Sequence, residues 1–174
     1  MDKHEYYMNI AMAVRKKANC LGRKVGAVMV KDNRIISTGY NGTPEGVGNC
    51  TDGACVRCRD RAIYKASAGY DVCICVHAEL NALISAARFG NAVEDTTVYS
   101  TLRPCFDCTK AMLQAKVRGV YYLHDWQHPI GELQEQYLLL QSRFIEGVNP
   151  VVMDDPESDW ANAVVKNTVA ENTR

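Results

Sequence analysis

Three things that this sequence lacks narrow its reading before any motif is considered. It has no excess of charge: Lys+Arg and Asp+Glu both count 20 in 174 residues. No broad electrostatic field therefore favours a polyanion such as a nucleic acid polymer. A small phosphorylated ligand stays within reach, because it needs only one local basic patch. The sequence has no apolar run near the ~20 residues of a membrane-spanning helix, so no membrane partner is expected. Its first residues, Met1 to Glu5, do not have the form of a secretory leader. A cytoplasmic location is the expectation, with thiols kept reduced. No repeat, interdomain linker or low-complexity segment interrupts the chain, whose length suits one domain with a sizeable core. That domain is expected over residues 1–153, with a polar tail, residues 154–174, part of it or appended to it.

What is present is cysteine, eight residues in all. In a reducing compartment, paired cysteine spacings point to metal rather than to disulfides. Hydrophobic periodicity supplies the frame around them. Tyr7, Ile10, Ala11, Val14 and Ala18 follow helical spacing, and Gly22 ends that region. Val25 to Val30 and Ile35 to Tyr40 read as two strands of a hairpin, joined by turn chemistry at Lys31-Asp32-Asn33-Arg34. Residues 41–60 are glycine-rich and carry three cysteines, a loop ordered by something other than a core. A short helix is expected over Ala62 to Ala68. A clearer helix begins at His77, with Leu80, Leu83, Ile84 and Ala87 on its inner face and Gly90 after its end. Thr96–Thr101 reads as a strand. Pro104 opens a helix that carries Cys105, Cys108, Met112 and Ala115 on its inner face. Val120–His124 is a strand, Leu133–Phe144 a helix and Val148–Met153 a last short strand. The order predicts an α/β fold with helices covering a mixed sheet.

Two segments carry chemistry: His77-Ala78-Glu79 and Pro104-Cys105-Phe106-Asp107-Cys108. They offer one imidazole and two thiolates, three strong zinc ligands, and leave one carboxylate unligated. A helix N-terminus favours thiolate over thiol. Three protein ligands leave the fourth position of a tetrahedral ion for water, which distinguishes a catalytic from a structural zinc. Zinc lowers the pKa of such a water to ~7, and Glu79 stands ready to move its protons. Alone, Cys-x-x-Cys is often a structural knuckle or a redox pair, and His-Ala-Glu within a helix is usually nothing. Their joint occurrence, with a strand between, is the specific signal. The competing class is a zinc-stabilised binding module, which has no use for Glu79.

His-x-Glu with Pro-Cys-x-x-Cys is the pattern of the zinc nucleobase deaminases. With Arg23-Lys24-Val25-Gly26-Ala27-Val28, Gly39-Tyr40-Asn41-Gly42-Thr43-Pro44 and His77-Ala78-Glu79-Leu80-Asn81-Ala82, the chain resembles the deoxycytidylate (dCMP) deaminase family of the cytidine deaminase superfamily, over Tyr7 to Trp126. The resemblance implies a three-layer α/β/α fold with a central mixed five-stranded sheet. It implies hydrolysis of dCMP to dUMP for thymidylate synthesis, in homo-oligomers that are often hexamers. Activation by dCTP with Mg2+ and inhibition by dTTP follow from the same resemblance.

Residue by residue, the resemblance makes His77, Cys105 and Cys108 the zinc ligands and Glu79 the proton shuttle. Asn41 would hold sugar and base, or simply turn the chain before Gly42. Ala78 lies in the substrate pocket. Arg23 and Lys24 would meet the phosphate or stay solvated. Trp126 or Tyr122 would stack on the base or belong to the core. Gly42, Thr43, Gly46, Asn81 and Arg88 are the effector candidates, with glycines that let backbone N–H groups approach phosphates. Arg103 departs from the small or apolar residue usual before the Pro-Cys pair, which leaves a dCTP-accepting variant open. Adenine, guanine or polymeric substrates also stay open. Some relatives carry a second, structural zinc whose ligand positions match Cys20, Cys50 and Cys75, with Cys58 favoured over Cys55 and Cys73 as the fourth. The alternative is buried free thiols.

Overall fold

The computed structural model describes residues 1–60, 63–64, 72–128 and 130–161. Apart from Ile63 and Tyr64, the helix expected over 62–68 falls outside the described residues, as does the tail beyond Ala161.

Helix α1 (Lys3–Arg15) starts at Asp2, which accepts from the backbone N–H groups of Lys3 and His4 and forms a capping box with Glu5. Its buried stripe is Tyr7, Met8, Ala11 and Arg15. Ala18 is buried too, but past the helix end. Strands β1 (Gly26–Lys31) and β2 (Arg34–Tyr40) pair antiparallel. The two residues between them, Asp32 and Asn33, both have positive φ, 49° and 59°. That is the backbone a tight two-residue hairpin demands, and Asp and Asn tolerate it.

Two glycines of this hairpin bring helices onto its opposite faces. A Cβ at Gly26 would lie 2.2 Å from the carbonyl oxygen of Ala11 in α1, and one at Gly39 would lie 2.2 Å from that of Ala78. Ala78 opens α3 (Ala78–Arg88), so Gly39 sets where that helix begins. Strand β3 (Thr97–Leu102) pairs antiparallel with β1, and β4 (Gly119–His124) and β5 (Val148–Pro150) follow in parallel. The sheet order is β2-β1-β3-β4-β5, the mixed five-stranded sheet anticipated. Helix α4 (Phe106–Gln114) lies between β3 and β4 in the chain, and α5 (Gly131–Gln141) between β4 and β5. Among the described residues there are also a 3-10 turn (Cys50–Asp52), a four-residue α2 (Val56–Arg59) and a short α6 (Ser158–Ala161).

Alternation along β1 divides the core into two layers. Ala27 and Met29 join Ala82, Leu83, Val98, Met112 and Phe144 on one face, while Val28 and Val30 join Tyr7, Met8, Ala11 and Tyr99 on the other. Helices α3 and α4 thus cover one face and α1 the other, giving three layers. The inner face of α3 differs in phase from the expectation. Ala78, Glu79, Ala82, Leu83 and Ala86 are buried, whereas Ile84 and Ala87 are exposed. The close approach at Gly39 falls on the backbone of Ala78 and Ala82, and this contact fixes the rotation of the helix. Strand β3 has four successive buried residues, as a strand covered on both sides must.

Ion pairs tie the end of the described chain to its beginning. Arg15, fully buried, donates through both terminal nitrogens to Asp155, at 2.7 and 2.8 Å. His124 Nε2 lies 2.6 Å from the same carboxylate. Asp155 therefore packs inside the domain rather than in solvent. Its carboxyl is held well below the usual range, first by the hydrogen bond from Arg15 and then by that from His124. A depressed carboxyl stabilises the fold above its unfolded pKa of ~3.9 and ceases to do so as pH falls through the folded value. Asp155→Asn is expected to cost about 1–3 kcal/mol, because it removes the nearest counter-charge of the buried guanidinium and leaves Glu157, at 3.4 Å, as its remaining carboxylate. It should also flatten the loss of stability below about pH 4, as read by chemical denaturation across pH.

Candidate metal centre and active site

Two helices begin at the same place. His77 is the N-cap residue of α3 and Cys105 the N-cap residue of α4, both with extended backbone. Cys108 follows within the first turn of α4. Cys105 is half outside the helix, but its carbonyl accepts from Thr109 N–H at 2.9 Å, so both cysteines lie on the turn that opens α4. They still converge: His77 Nδ1 lies 3.2 Å from Cys105 Sγ and 3.6 Å from Cys108 Sγ. All three donor atoms fall within 4.8 Å of one another. Two sulfurs and one imidazole around a single point are a zinc donor set by chemistry as well as geometry. The groups already polarise one another. Hydrogen bonding from Cys108, then from His77, brings the Cys105 thiol down to about 4. Its proximity pushes His77 up to about 9.

Glu79 points into the same site without being part of the donor set. It is 5% exposed, and Ser100 on β3 donates to its Oε1 at 2.7 Å. Burial pushes its carboxyl above the usual range, and the Cys105 charge adds to this. Ser100 was not anticipated. Its signal was a polar residue at an inward position of a strand buried on both faces.

The α4 entrance is held by α5, also unanticipated. Tyr137 Oη and Gln141 Nε2 both donate to the Pro104 carbonyl. Arg103 neither reaches a free pocket nor points to solvent. It donates to Gln141 at 2.8 Å and to Asp125 at 3.0 Å, with its guanidinium 5.2 Å from the Tyr122 ring and 5.6 Å from that of Tyr137. Tyr122 is buried beneath it, in keeping with the alternative in which this ring belongs to the core. Trp126 remains half-exposed, packed edge-on to Tyr137 at 5.1 Å and 83°.

Asn41 is buried and uses its amide on the backbone. Its Oδ1 accepts from Val25 N at 2.7 Å, and its Nδ2 donates to Arg23 O at 2.7 Å. It thereby closes the loop bearing Arg23, which is exposed, and Lys24, which is half-buried. The next residue, Gly42, forms an isolated bridge with Val76, with bonds of 3.2 and 2.8 Å. Asn41 is thus set beside His77. Thr43 N–H donates to Asn19 Oδ1. Asn81 donates to Tyr40 O at 2.7 Å. Arg88 pairs with Glu45 at 3.1 Å, both side chains being exposed. Gly46 has φ +83° and open space around it. The structure therefore brings the effector candidates to one region, the loop after β2 and the outer side of α3. Ala78 is fully buried between His77 and Glu79.

The remaining cysteines are gathered in one cluster. Cys20, Cys50, Cys58 and Cys75, the set expected for a second zinc, have their sulfurs within 4.8 Å of one another.

Sheet, layers and donor set together define the class of zinc-binding α/β/α deaminase domains. A family model described as the cytidine and deoxycytidylate deaminase zinc-binding region matches residues 1–124, and the chain belongs to that family. It is 40% identical over 119 residues to the deoxycytidylate deaminase of Schizosaccharomyces pombe, covering 67% of this chain and 35% of that protein. It is 37% identical over 124 residues to that of Mycobacterium phage D29, covering 70% of this chain and 94% of the phage protein. The chain thus spans about a third of the length of the fission-yeast relative. Among solved structures it is similar to the dCMP deaminase of cyanophage S-TIM5, crystallised with dCMP and dUMP. That likeness has a TM-score of 0.64 and 31% identity, over 84% of this chain and 95% of the other.

Asn41→Ala is expected to lower stability by about 1–3 kcal/mol, because it strands the buried Val25 N–H. Thermal or urea denaturation reads the loss, and an unchanged midpoint would assign the amide no structural part.

Proposed function

We propose that this chain catalyses hydrolytic deamination of dCMP to dUMP, with release of ammonia. The observation that carries the reading is Glu79. Its carboxylate is buried beside three convergent metal donors, outside the donor set, and oriented by Ser100. A structural zinc site has no need of such a group, and a proton-transfer centre does. Zinc held by His77, Cys105 and Cys108 supplies Lewis acidity that makes water nucleophilic near neutral pH. Glu79 takes the proton of the attacking water and delivers it to N3 of the cytosine ring. It then takes the proton of the hydroxyl added at C4 and passes it to the amino group, whose bond to C4 breaks as the C4 carbonyl forms and ammonia leaves. Burial, by raising its proton affinity, suits Glu79 to both directions of transfer.

The substrate lies against Ala78, with Asn41 at the sugar and Arg23 and Lys24 toward the phosphate. Trp126 is the stacking aromatic, since Tyr122 is covered. The engagement of Arg103 by Asp125, Gln141 and two rings removes the reason to read it as a triphosphate anchor. The monophosphate is therefore favoured, consistent with the names of the relatives. The product supplies dUMP for thymidylate synthesis. Regulation by dCTP with Mg2+ as activator and dTTP as inhibitor is assigned to Gly42, Thr43, Gly46, Asn81 and Arg88, with Arg88 released from Glu45 to meet phosphate. The assembly is a homo-oligomer, a hexamer, and the location cytoplasmic. Among the described residues no helix is long and apolar enough to cross a membrane. A structural Zn2+ on Cys20, Cys50, Cys58 and Cys75 completes the reading.

The test follows cytosine-to-uracil conversion by ultraviolet absorbance with deoxycytidine, dCMP and dCTP, each with and without dCTP–Mg2+ or dTTP. Turnover of dCMP above the other two, raised by dCTP and lowered by dTTP, is expected. Absence of turnover in protein that retains zinc would reject the reading. Glu79→Gln is expected to reduce kcat at least 1,000-fold, in line with loss of general acid–base transfer and its orientation, with zinc content unchanged. A variant that kept its activity would sink the assignment.

A further inference from the structure

The cysteine cluster contains more ligands than one ion can use. Beside Cys20, Cys50, Cys58 and Cys75, a second four-sulfur set is formed by Cys55, Cys58, Cys73 and Cys75, again with all sulfurs within 4.8 Å of one another. Cys58 and Cys75 belong to both. We propose that the six cysteines hold two Zn2+ ions in one binuclear centre, with Cys58 and Cys75 as bridging thiolates. The proposal rests on the structural zinc of the preceding subsection and adds an ion to it.

Distances support two tetrahedra sharing an edge. A Zn–S bond of ~2.3 Å sets the sulfur–sulfur edge of a tetrahedron at about 3.8 Å. The sulfurs of Cys20 and Cys58 are 3.9 Å apart, those of Cys55 and Cys73 3.9 Å, and those of Cys58 and Cys73 3.6 Å. Cys20–Cys58 belongs to one set and the other two pairs to the second, so both have coordination spacing. None of these pairs is at the ~2.05 Å of a disulfide.

Local structure explains how the sulfurs meet. Cys55 is the N-cap residue of α2 and Cys58 lies in its only turn, the same placement that Cys105 and Cys108 have on α4. Backbone N–H groups of Leu21 and Gly22 donate to Cys50 and Cys20 sulfurs, each at 3.3 Å, bonds that favour thiolate. Five of the six cysteines are buried and Cys73 is half-buried.

Charge balance separates one ion from two. One Zn2+ with four thiolates carries a net charge of −2 and leaves Cys55 and Cys73 as thiols inside the cluster. Two Zn2+ with six thiolates also carry −2. The second ion therefore recruits both remaining sulfurs without adding buried charge, and six protons leave as the centre forms. An all-thiolate tetrahedral environment selects zinc over harder divalent ions. The segment this centre holds, residues 41–60, has few apolar residues of its own, so metal binding is its source of order.

Native mass spectrometry with elemental analysis of the zinc-replete protein tests the proposal. Three zinc ions per chain are expected, one at His77-Cys105-Cys108 and two in the cluster. Two per chain would overturn the binuclear centre and leave the single structural ion standing, and one would overturn both. Iron in the cluster, or a denatured mass short by two hydrogens from a Cys55–Cys73 disulfide, would also overturn it. Cys73→Ser, at the least buried position, is expected to lower the count from three to two, whereas Cys58→Ser should remove both cluster ions. A Cys73→Ser protein still holding three would reject the assignment, and the wild-type count decides if either variant fails to fold.

Discussion

Two helices have to start at one point in space, and most of this structure serves that requirement. His77 and Cys105 are N-cap residues whose backbones arrive extended from different directions. Only the sheet and its packing fix the distance between them. Gly39 lets α3 descend until its first carbonyl touches β2. Tyr137 and Gln141 hold the Pro104 carbonyl, so that α4 begins where α3 does. Ser100, on the strand between, orients Glu79 toward the result. Any one of these contacts is an ordinary hydrogen bond or close approach. Together they set three donors and one buried carboxylate without asking any of them to find its place on a mobile loop.

The loop after β2 is constrained differently. It cannot bury enough apolar surface to order itself, and its cysteines replace a core. Its order reaches the active site along a short path. Cys75 belongs to the cluster, Val76 bridges to Gly42, and His77 is the next residue. Asn41, adjoining that bridge, ties the loop in turn to the entrance of β1. The sulfur cluster and His77 are thus joined by one short segment, Cys75-Val76-His77.

Polar groups, not apolar ones, mark where this protein departs from a plain layered fold. Arg15, Glu79, Asn41, Gln141 and Asp155 are all buried, and each has a stated partner. Arg103 shows the same economy, with two ring faces and two polar partners around one guanidinium. Buried polar groups are costly unless satisfied. Their partners here come from distant parts of the chain, and they lock α1 to the segment before α6 and α4 to α5 more specifically than apolar contact does.

Strands, helices and the catalytic motif were legible in the sequence because their signals are local. Alternation, helical spacing, turn residues and ligand spacing act over a few residues, and the donors His77, Cys105 and Cys108 with Glu79 could be named from them. The phase of α3 was not legible, since Gly39 on another strand decides which residues of that helix fit against the sheet. Nor were Ser100, Tyr137 and Gln141, whose roles exist only where separate elements meet. Arg103 and Tyr122 looked available as isolated residues and proved to cover one another. Asp155 read as part of a polar tail, yet its partner lies 140 positions earlier. For the cysteines, spacing gave the residues but not their grouping. Which sulfurs share a neighbourhood, and that Cys58 and Cys75 lie in two at once, depends on a loop folded back on two other segments. The sequence by itself determined the chemistry on offer. The tertiary structure decided which groups face each other, because a buried pairing is set by where chain segments far apart in sequence are brought together.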